Sequence, residues 1–322
     1  MRIATHAYTD AMVNQYNLLS AKQFTLQNQV STGLRVSSAS DDPAAMQNAL
    51  NLVSTKSAQT QYGKNIATLQ DRATQIYNVL QSLQTMSSNV GELTTQAGNA
   101  QTSDASLTDY VGQLNGYIND AVKLANTKDA TTGNYLFAGT KNDAAPFTAV
   151  KDANGNITSV TYNGNGAVNQ TEIGSGDSTS VDVPGVNATT SGTPGLFADA
   201  ASGANFFNNL IKLRDDISAN IGVTIPNKNI SSITGADTDA LKKDSNNLLY
   251  HISNNGVVQS RLDVANTQLT NNIGTLNTSI SNQTSADLVQ TITQLNQAQN
   301  SYQAALQSGA KIMQLSILNY IQ

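Results

Sequence analysis

From Leu288 to the end of the chain, apolar, small and amide side chains recur at alternating steps of four and three: Leu288, Ile292, Leu295, Gln299, Tyr302, Leu306, Gly309 and Met313. That alternation predicts the seam of a coiled coil. A stripe so narrow needs a second helix to cover it, and the opposite end of the chain carries one with the same steps: Met12, Tyr16, Leu19, Gln23, Leu26 and Val30. An antiparallel register in which paired residue numbers sum to 325 places Met12 by Met313, Tyr16 by Gly309, Leu19 by Leu306, Gln23 by Tyr302, Leu26 by Gln299 and Val30 by Leu295. In that register a ring faces a glycine, and an amide faces a phenol.

Between the two ends the period changes twice. Gly33 fits the left-handed position that closes the first helix, and Ser40-Asp41-Asp42-Pro43 restarts one, with Asp42 as N-cap and Pro43 at the first helical position. The heptad returns from Ile66 through Leu69, Ala73, Ile76, Leu80, Leu83, Ser87 and Val90, predicting a helix over 62–101, and again at Leu107, Val111, Leu114, Ile118, Ala121 and Ala125. Tyr135-Leu136-Phe137-Ala138, bracketed by Gly133 and Gly139, reads as a short strand. From there to about residue 205 Gly, Asn, Thr and Val dominate without a helical period, and strands are expected at 148–150 and 157–162, joined across Asn154-Gly155, and near 170–173 and 180–183. Helix resumes near Asn205 with Phe206, Phe207, Leu210, Ile211, Leu213 and Ile217, and a long helical tract follows from Thr238.

The pattern therefore predicts a mainly α fold: an elongated antiparallel helical bundle or coiled coil built by both chain ends, with a small β-rich domain inserted in the middle. Residues 1–36 and 283–322 form terminal assembly segments in this reading. A helical rod takes 43–140 and 206–282, and the insertion takes 141–205.

Composition sharpens the picture in one respect. Only 12% of residues are charged, about half the usual share, and Ser, Thr, Asn and Gln occupy helix faces where Glu and Lys are common. Such faces are either a low-charge solvated surface or contacts with neighbouring subunits, where an unpaired charge is costly to desolvate. A net charge of -5 supplies no basic face for nucleic acid, and no apolar run is long enough to span a bilayer. Cysteine is absent, which excludes disulfides, thiolate metal sites and a cysteine nucleophile. The opening Met1-Arg2-Ile3-Ala4-Thr5-His6 lacks the features of a cleaved secretory signal.

Candidate chemistry is sparse. His6 and His251 are the only histidines, and neither has a ligand or base at useful spacing. Asp41 and Asp42 are accounted for by capping. Asp152 to Asn163 lacks the spacing of a calcium loop, and the glycine pairs at 164–166 and 174–176 precede no phosphate-binding helix. No catalytic residue, cofactor or metal is expected.

Gln29-Val30-Ser31-Thr32-Gly33-Leu34-Arg35-Val36, Ser40-Asp41-Asp42-Pro43, Gly133 through Thr140 with Pro146-Phe147, and Leu315 to Tyr320 together resemble the bacterial flagellin superfamily. Within it, Asp41-Asp42-Pro43 and Tyr135-Leu136-Phe137-Ala138-Gly139-Thr140 are similar to the hook-associated proteins of the hook–filament junction more than to filament flagellins. Gly33, Arg35, Asp41, Asp42, Pro43, Tyr135, Leu136, Phe137 and Gly139 carry the likeness. The resemblance implies a structural subunit of the extracellular flagellum, exported unfolded by the flagellar type III apparatus with a cytosolic chaperone. It also implies that the terminal helices order on polymerisation, against copies of the chain, a hook-side hook-associated protein and flagellin. A filament flagellin and a secreted adhesin or effector are the alternatives.

Overall fold

The computed structural model describes the backbone of residues 2–321 and the side chains of residues 10–311. Helices α1 (Arg2–Thr32), α2 (Pro43–Ala97) and α3 (Asp104–Ala125) lead into a stretch of short strands. These are β1 (Phe147–Lys151), β2 (Ile157–Tyr162), β3 (Thr171–Gly174), β4 (Asp177–Thr179), β5 (Val186–Asn187), β6 (Ala198–Asp199) and β7 (Ala204–Asn205). Helices α4 (Phe206–Ser218), α5 (Thr238–Thr284) and α6 (Leu288–Ile321) complete the chain, with a π-helical turn at Ser232–Asp237 before α5. The fold is a mainly helical bundle with a small β-rich region inserted between helices. No helix among the described residues is long and apolar enough to cross a membrane.

Two compact units divide the chain: residues 61–269, and residues 1–60 with 270–322. In the first, Ile76, Leu80, Leu83 and Val90 of α2, Leu114 and Ile118 of α3, and Leu210, Leu213 and Ile217 of α4 are closed off from solvent in one core. The β region is tied into that core by aromatic rings. Phe147 and Phe197 lie 4.9 Å apart, and each packs on Phe207, at 5.4 and 5.1 Å. Asn126, just past α3, clamps the start of β1 by accepting from Phe147 N–H at 3.0 Å and donating to its carbonyl at 2.9 Å. The strands form two antiparallel pairs, β1–β2 and β3–β4, and a three-stranded sheet in which β5 runs parallel and β7 antiparallel to β6.

Buried polar groups join the elements. Arg72 of α2 donates to Asp182 at 2.7 Å and to Asp129 at 3.1 Å. Burial pushes the Asp129 carboxyl up, but the N–H groups of Thr131 and Thr132 and the Arg72 guanidinium outweigh it and hold it below the usual range. One face of α5 carries Asp244, Asn247, His251 and Asn255, all buried. Asp244 accepts from Asn205 N–H and from the Asn209 amide, both at 2.8 Å, at the start of α4. Asn247 donates to the carbonyls of Gly195 and Leu196, and Asn255 to that of Ala73.

Several expectations are corrected. Instead of restarting at 62, α2 runs unbroken from Pro43, because neither proline nor glycine interrupts 44–62, and it ends at Ala97 where Gly98 N–H closes on the Thr94 carbonyl. The expected strand at 135–138 is a buried turn. Only Tyr135 bridges, to Lys128, while the Phe137 carbonyl accepts from Gly185 N–H and the Tyr162 hydroxyl. Residues 180–183 lie outside any ladder, since Asp182 is drawn to Arg72; the strand there is β4, at 177–179. The helical tract expected to continue into the last seam breaks at Ser285-Ala286-Asp287, and Asp287 caps α6 by accepting from the N–H groups of Val289 and Gln290.

Candidate assembly surface

In the unit formed by residues 1–60 and 270–322, α1 and α6 pack as a pair. Its geometry is set by a close approach at Gly309. An added Cβ would stand 2.6 Å from Met12 Cε and would clash with the Tyr16 hydroxyl. The Tyr16 ring is seated by donating its hydroxyl to the Ala305 carbonyl at 2.8 Å and by meeting Tyr302 edge-on, with centroids 6.4 Å apart. Tyr16 and Gly309 are thus brought together as the register summing to 325 pairs them. The Met313 side chain lies outside the described residues.

Burial on α1 follows Met12, Tyr16, Leu19, Gln23, Leu26 and Val30, each buried or half-buried. On α6 it follows Thr291, Leu295, Ala298, Tyr302, Ala305 and Gly309, with Gln299 half-buried beside them. Leu288, Ile292 and Leu306, expected in the seam, are 46, 45 and 45% exposed instead. Small side chains explain the rotation: Ala298, Ala305 and Gly309 let the backbones approach, and the larger residues move to the flank. A strict step of four and three from Leu288 does not land on Thr291, Ala298 or Ala305.

Other apolar side chains on the two helices are open as well. Val289 is 79% exposed on α6, and Leu18 and Phe24 are 67 and 65% exposed on α1, as is Val13 at 52%. Leu50 and Val53 of α2 are exposed as well. Charged residues are few on both helices, since α6 carries Lys311 alone and α1 only Arg2, Asp10 and Lys22.

The loop from α1 to α2 is held by the acidic pair. Gly33, at a φ of 70°, ends α1. Asp41 accepts from the N–H groups of Ser37 and Ser38 at 2.9 and 2.8 Å, and those bonds hold its carboxyl below the usual range. Asp42 caps α2, which begins at Pro43, by accepting from Ala45 N–H at 3.0 Å; that bond, followed by the Arg35 guanidinium at 3.1 Å, lowers it likewise. Arg35 also reaches the Gln283 carbonyl at 2.9 Å, and the main chain adds bonds from Arg35 N–H to Thr284 and from Ala286 N–H to Gly33.

The second group of motif residues lies in the other unit and not on this surface. Leu136 and Phe137 are buried there, and Gly139, with a φ of 68°, lies against Asn165. Tyr135 carries Lys128 over its ring at 4.9 Å. His251 is buried, and desolvation lowers its pKa. The His6 side chain lies outside the described residues, and among those described no group of three or more acidic, histidine or cysteine side chains could hold a metal ion.

Residues 3–142 match the bacterial flagellin N-terminal helical region. The chain is 31% identical over 147 residues to flagellar hook-associated protein 3 of Salmonella typhimurium, covering 46% of each chain, and 32% identical over 123 residues to that of Escherichia coli, covering 38% of each. It therefore spans less than half the length of these relatives. Among solved structures, a protein assigned as a flagellar hook-associated protein of Vibrio parahaemolyticus superposes with a TM-score of 0.63 at 22% identity, over 76% of this chain and 100% of that one. The FlgL protein of Xanthomonas campestris gives 0.55 at 21% identity, over 70% and 98%. At these identities the structures establish a shared fold.

Proposed function

We propose that this chain, whose residues 3–142 match the bacterial flagellin N-terminal helical region, is a flagellin-superfamily structural subunit, not an enzyme, that adapts hook to filament at the extracellular hook–filament junction of the bacterial flagellum. The observation that carries this reading is the apolar flank of α6 formed by Leu288, Ile292 and Leu306, which lacks cover, with Leu18, Phe24 and Val289 also open on the two helices and few charges among them. Covering it with α1 and α6 of neighbouring copies buries the stripe, at roughly 1 kcal/mol for each half-exposed aliphatic side chain. A flank that meets a different surface on the next copy makes a heterologous contact, which builds a ring or tube.

On this proposal the terminal segments, with Met12, Tyr16, Leu19, Gln23, Leu26, Val30, Leu288, Ile292, Leu295, Gln299, Tyr302, Leu306, Gly309 and Met313, form the inner assembly layer and order as they join it. Residues 43–140 and 206–282 form the rod, and 141–205 face outward. A hook-side hook-associated protein lies on one side and flagellin on the other, after export through the flagellar type III apparatus with a cytosolic chaperone. Amide-rich faces let copies shift against one another without parting buried ion pairs.

The test is complementation of a strain lacking the gene. Wild type restores filaments and places immunogold label at the junction. Ile292→Asp with Leu306→Asp is exported and keeps a folded 61–269 unit by circular dichroism and proteolysis, yet restores no filament. Label along the filament favours the flagellin alternative, and full motility of the double variant removes the flank from the mechanism.

A further inference from the structure

We infer that Asn154 is a site of spontaneous modification, converting to aspartyl and isoaspartyl residues by way of a cyclic imide with the Gly155 amide. Five Asn–Gly steps occur, at residues 115, 154, 163, 165 and 255. The reaction needs the asparagine side chain free to turn onto the following backbone nitrogen, and glycine offers that nitrogen without side-chain obstruction. The structure withholds one or both conditions at four of the five.

Asn115 and Asn255 lie inside α3 and α5, where helical geometry holds the following amide away. Their side chains are also engaged: Asn115 accepts from Arg214 at 3.1 Å, and Asn255 donates to the Ala73 carbonyl at 3.1 Å and accepts from Gln259. Asn163 donates to the Thr148 hydroxyl at 2.9 Å. Asn165 is pinned at both ends, accepting from Thr140 N–H at 3.0 Å and donating to the Thr140 hydroxyl at 2.9 Å.

Asn154 differs on each count. It lies in the turn between β1 and β2, is exposed with Gly155, and its amide group makes no hydrogen bond among the described residues. The turn is held without it, because Asp152 accepts from the N–H groups of Asn154 and Asn156 at 2.9 and 2.8 Å. One bond opposes the reaction: Gly155 N–H donates to the Asp152 carbonyl at 3.1 Å. It is exposed and single, so opening it slows the step by about tenfold or less.

The step balances without a co-reactant other than water. Gly155 nitrogen loses its proton and bonds to the Asn154 side-chain carbonyl carbon, the carbon–nitrogen bond of the amide breaks, and ammonia leaves. Water then opens the imide at either carbonyl, leaving a carboxylate and, by one of the two routes, an extra main-chain carbon. The product adds one negative charge at the hairpin tip and lengthens the turn.

The full chain is incubated at mildly alkaline pH in water enriched in oxygen-18 and followed by peptide mass spectrometry with electron-transfer fragmentation, beside a free peptide of residues 151–158. Label should enter at Asn154 within about tenfold of the peptide's rate, ahead of the other four steps, and Asn154→Gln should abolish it while circular dichroism stays unchanged. Conversion first at Asn163 or Asn165, or an Asn154 that persists long after the peptide has converted completely, overturns the inference.

Discussion

Replacing Gly309 with alanine tests the helix pair at its tightest point. The new methyl group would stand 2.6 Å from Met12 Cε and against the Tyr16 hydroxyl, so the tyrosine must swing away. That motion forfeits the bond to the Ala305 carbonyl, worth about 1 kcal/mol, and the edge contact with Tyr302, worth roughly 0.5–1.5 kcal/mol. Alanine in place of glycine returns about 1 kcal/mol of helix propensity. If the ring holds its place, overpacking costs roughly 1–3 kcal/mol instead. When the ring swings away the net loss is about 0.5–1.5 kcal/mol, which speeds amide exchange across α1 and α6 by roughly 2–13-fold. Exchange is read on the assembled full chain by mass spectrometry of peptides from the two helices. Tyr16→Phe alone costs about 1 kcal/mol, but combined with Gly309→Ala it removes the atom in the way, so the double variant should lose less than the sum by at least about 0.5 kcal/mol. Slower exchange in Gly309→Ala, or strict additivity, would refute the packing of Tyr16 on Gly309.

Other outcomes follow from the second unit. Arg72→Met leaves Asp129 and Asp182 buried without their cation and should destabilise residues 61–269 by about 3–5 kcal/mol in urea unfolding; a change below about 1 kcal/mol would contradict the pairing. Leu80→Ala, in a site closed to solvent, should cost about 2–5 kcal/mol by the same measurement. Burial raises Asp244 to about 6, so between its unfolded value near 3.9 and about 6 the native state holds a proton that the unfolded chain has lost. Stability relative to Asp244→Asn should therefore fall as pH rises through that window, by up to about 3 kcal/mol, and level off above it. A rise over the same interval would show that the carboxyl is not raised.

The helices were legible where periodicity and caps agreed. The step of four and three along α1 matches its burial, and Asp42-Pro43 marks the start of α2 because a cap and a fixed φ act within a few residues. On α6 the same steps place Gly309 in the seam, where it is buried, but also Leu288, Ile292 and Leu306, whereas close approach favours Thr291, Ala298 and Ala305. Hydrophobicity carries no information about how near two backbones come. The turn at 135–139 looked like a strand because burial of Leu136 and Phe137 has the same signature in either conformation. The polar face of α5 and the Arg72 network were invisible because their partners lie tens of residues away, as Asp129 and Asp182 do from Arg72. Strands of two residues, such as β5 to β7, are shorter than any alternation that could announce them.

The reversal after α1 and the one before α6 are clipped to each other by main-chain bonds among Gly33, Arg35, Thr284 and Ala286, and by the Arg35 guanidinium on Gln283. Tension on either strand of the hairpin-like pair reaches this clasp before it reaches a single peptide turn. Several short bonds then share the load and must yield together, so the clasp withstands a pull that would open any one of them alone.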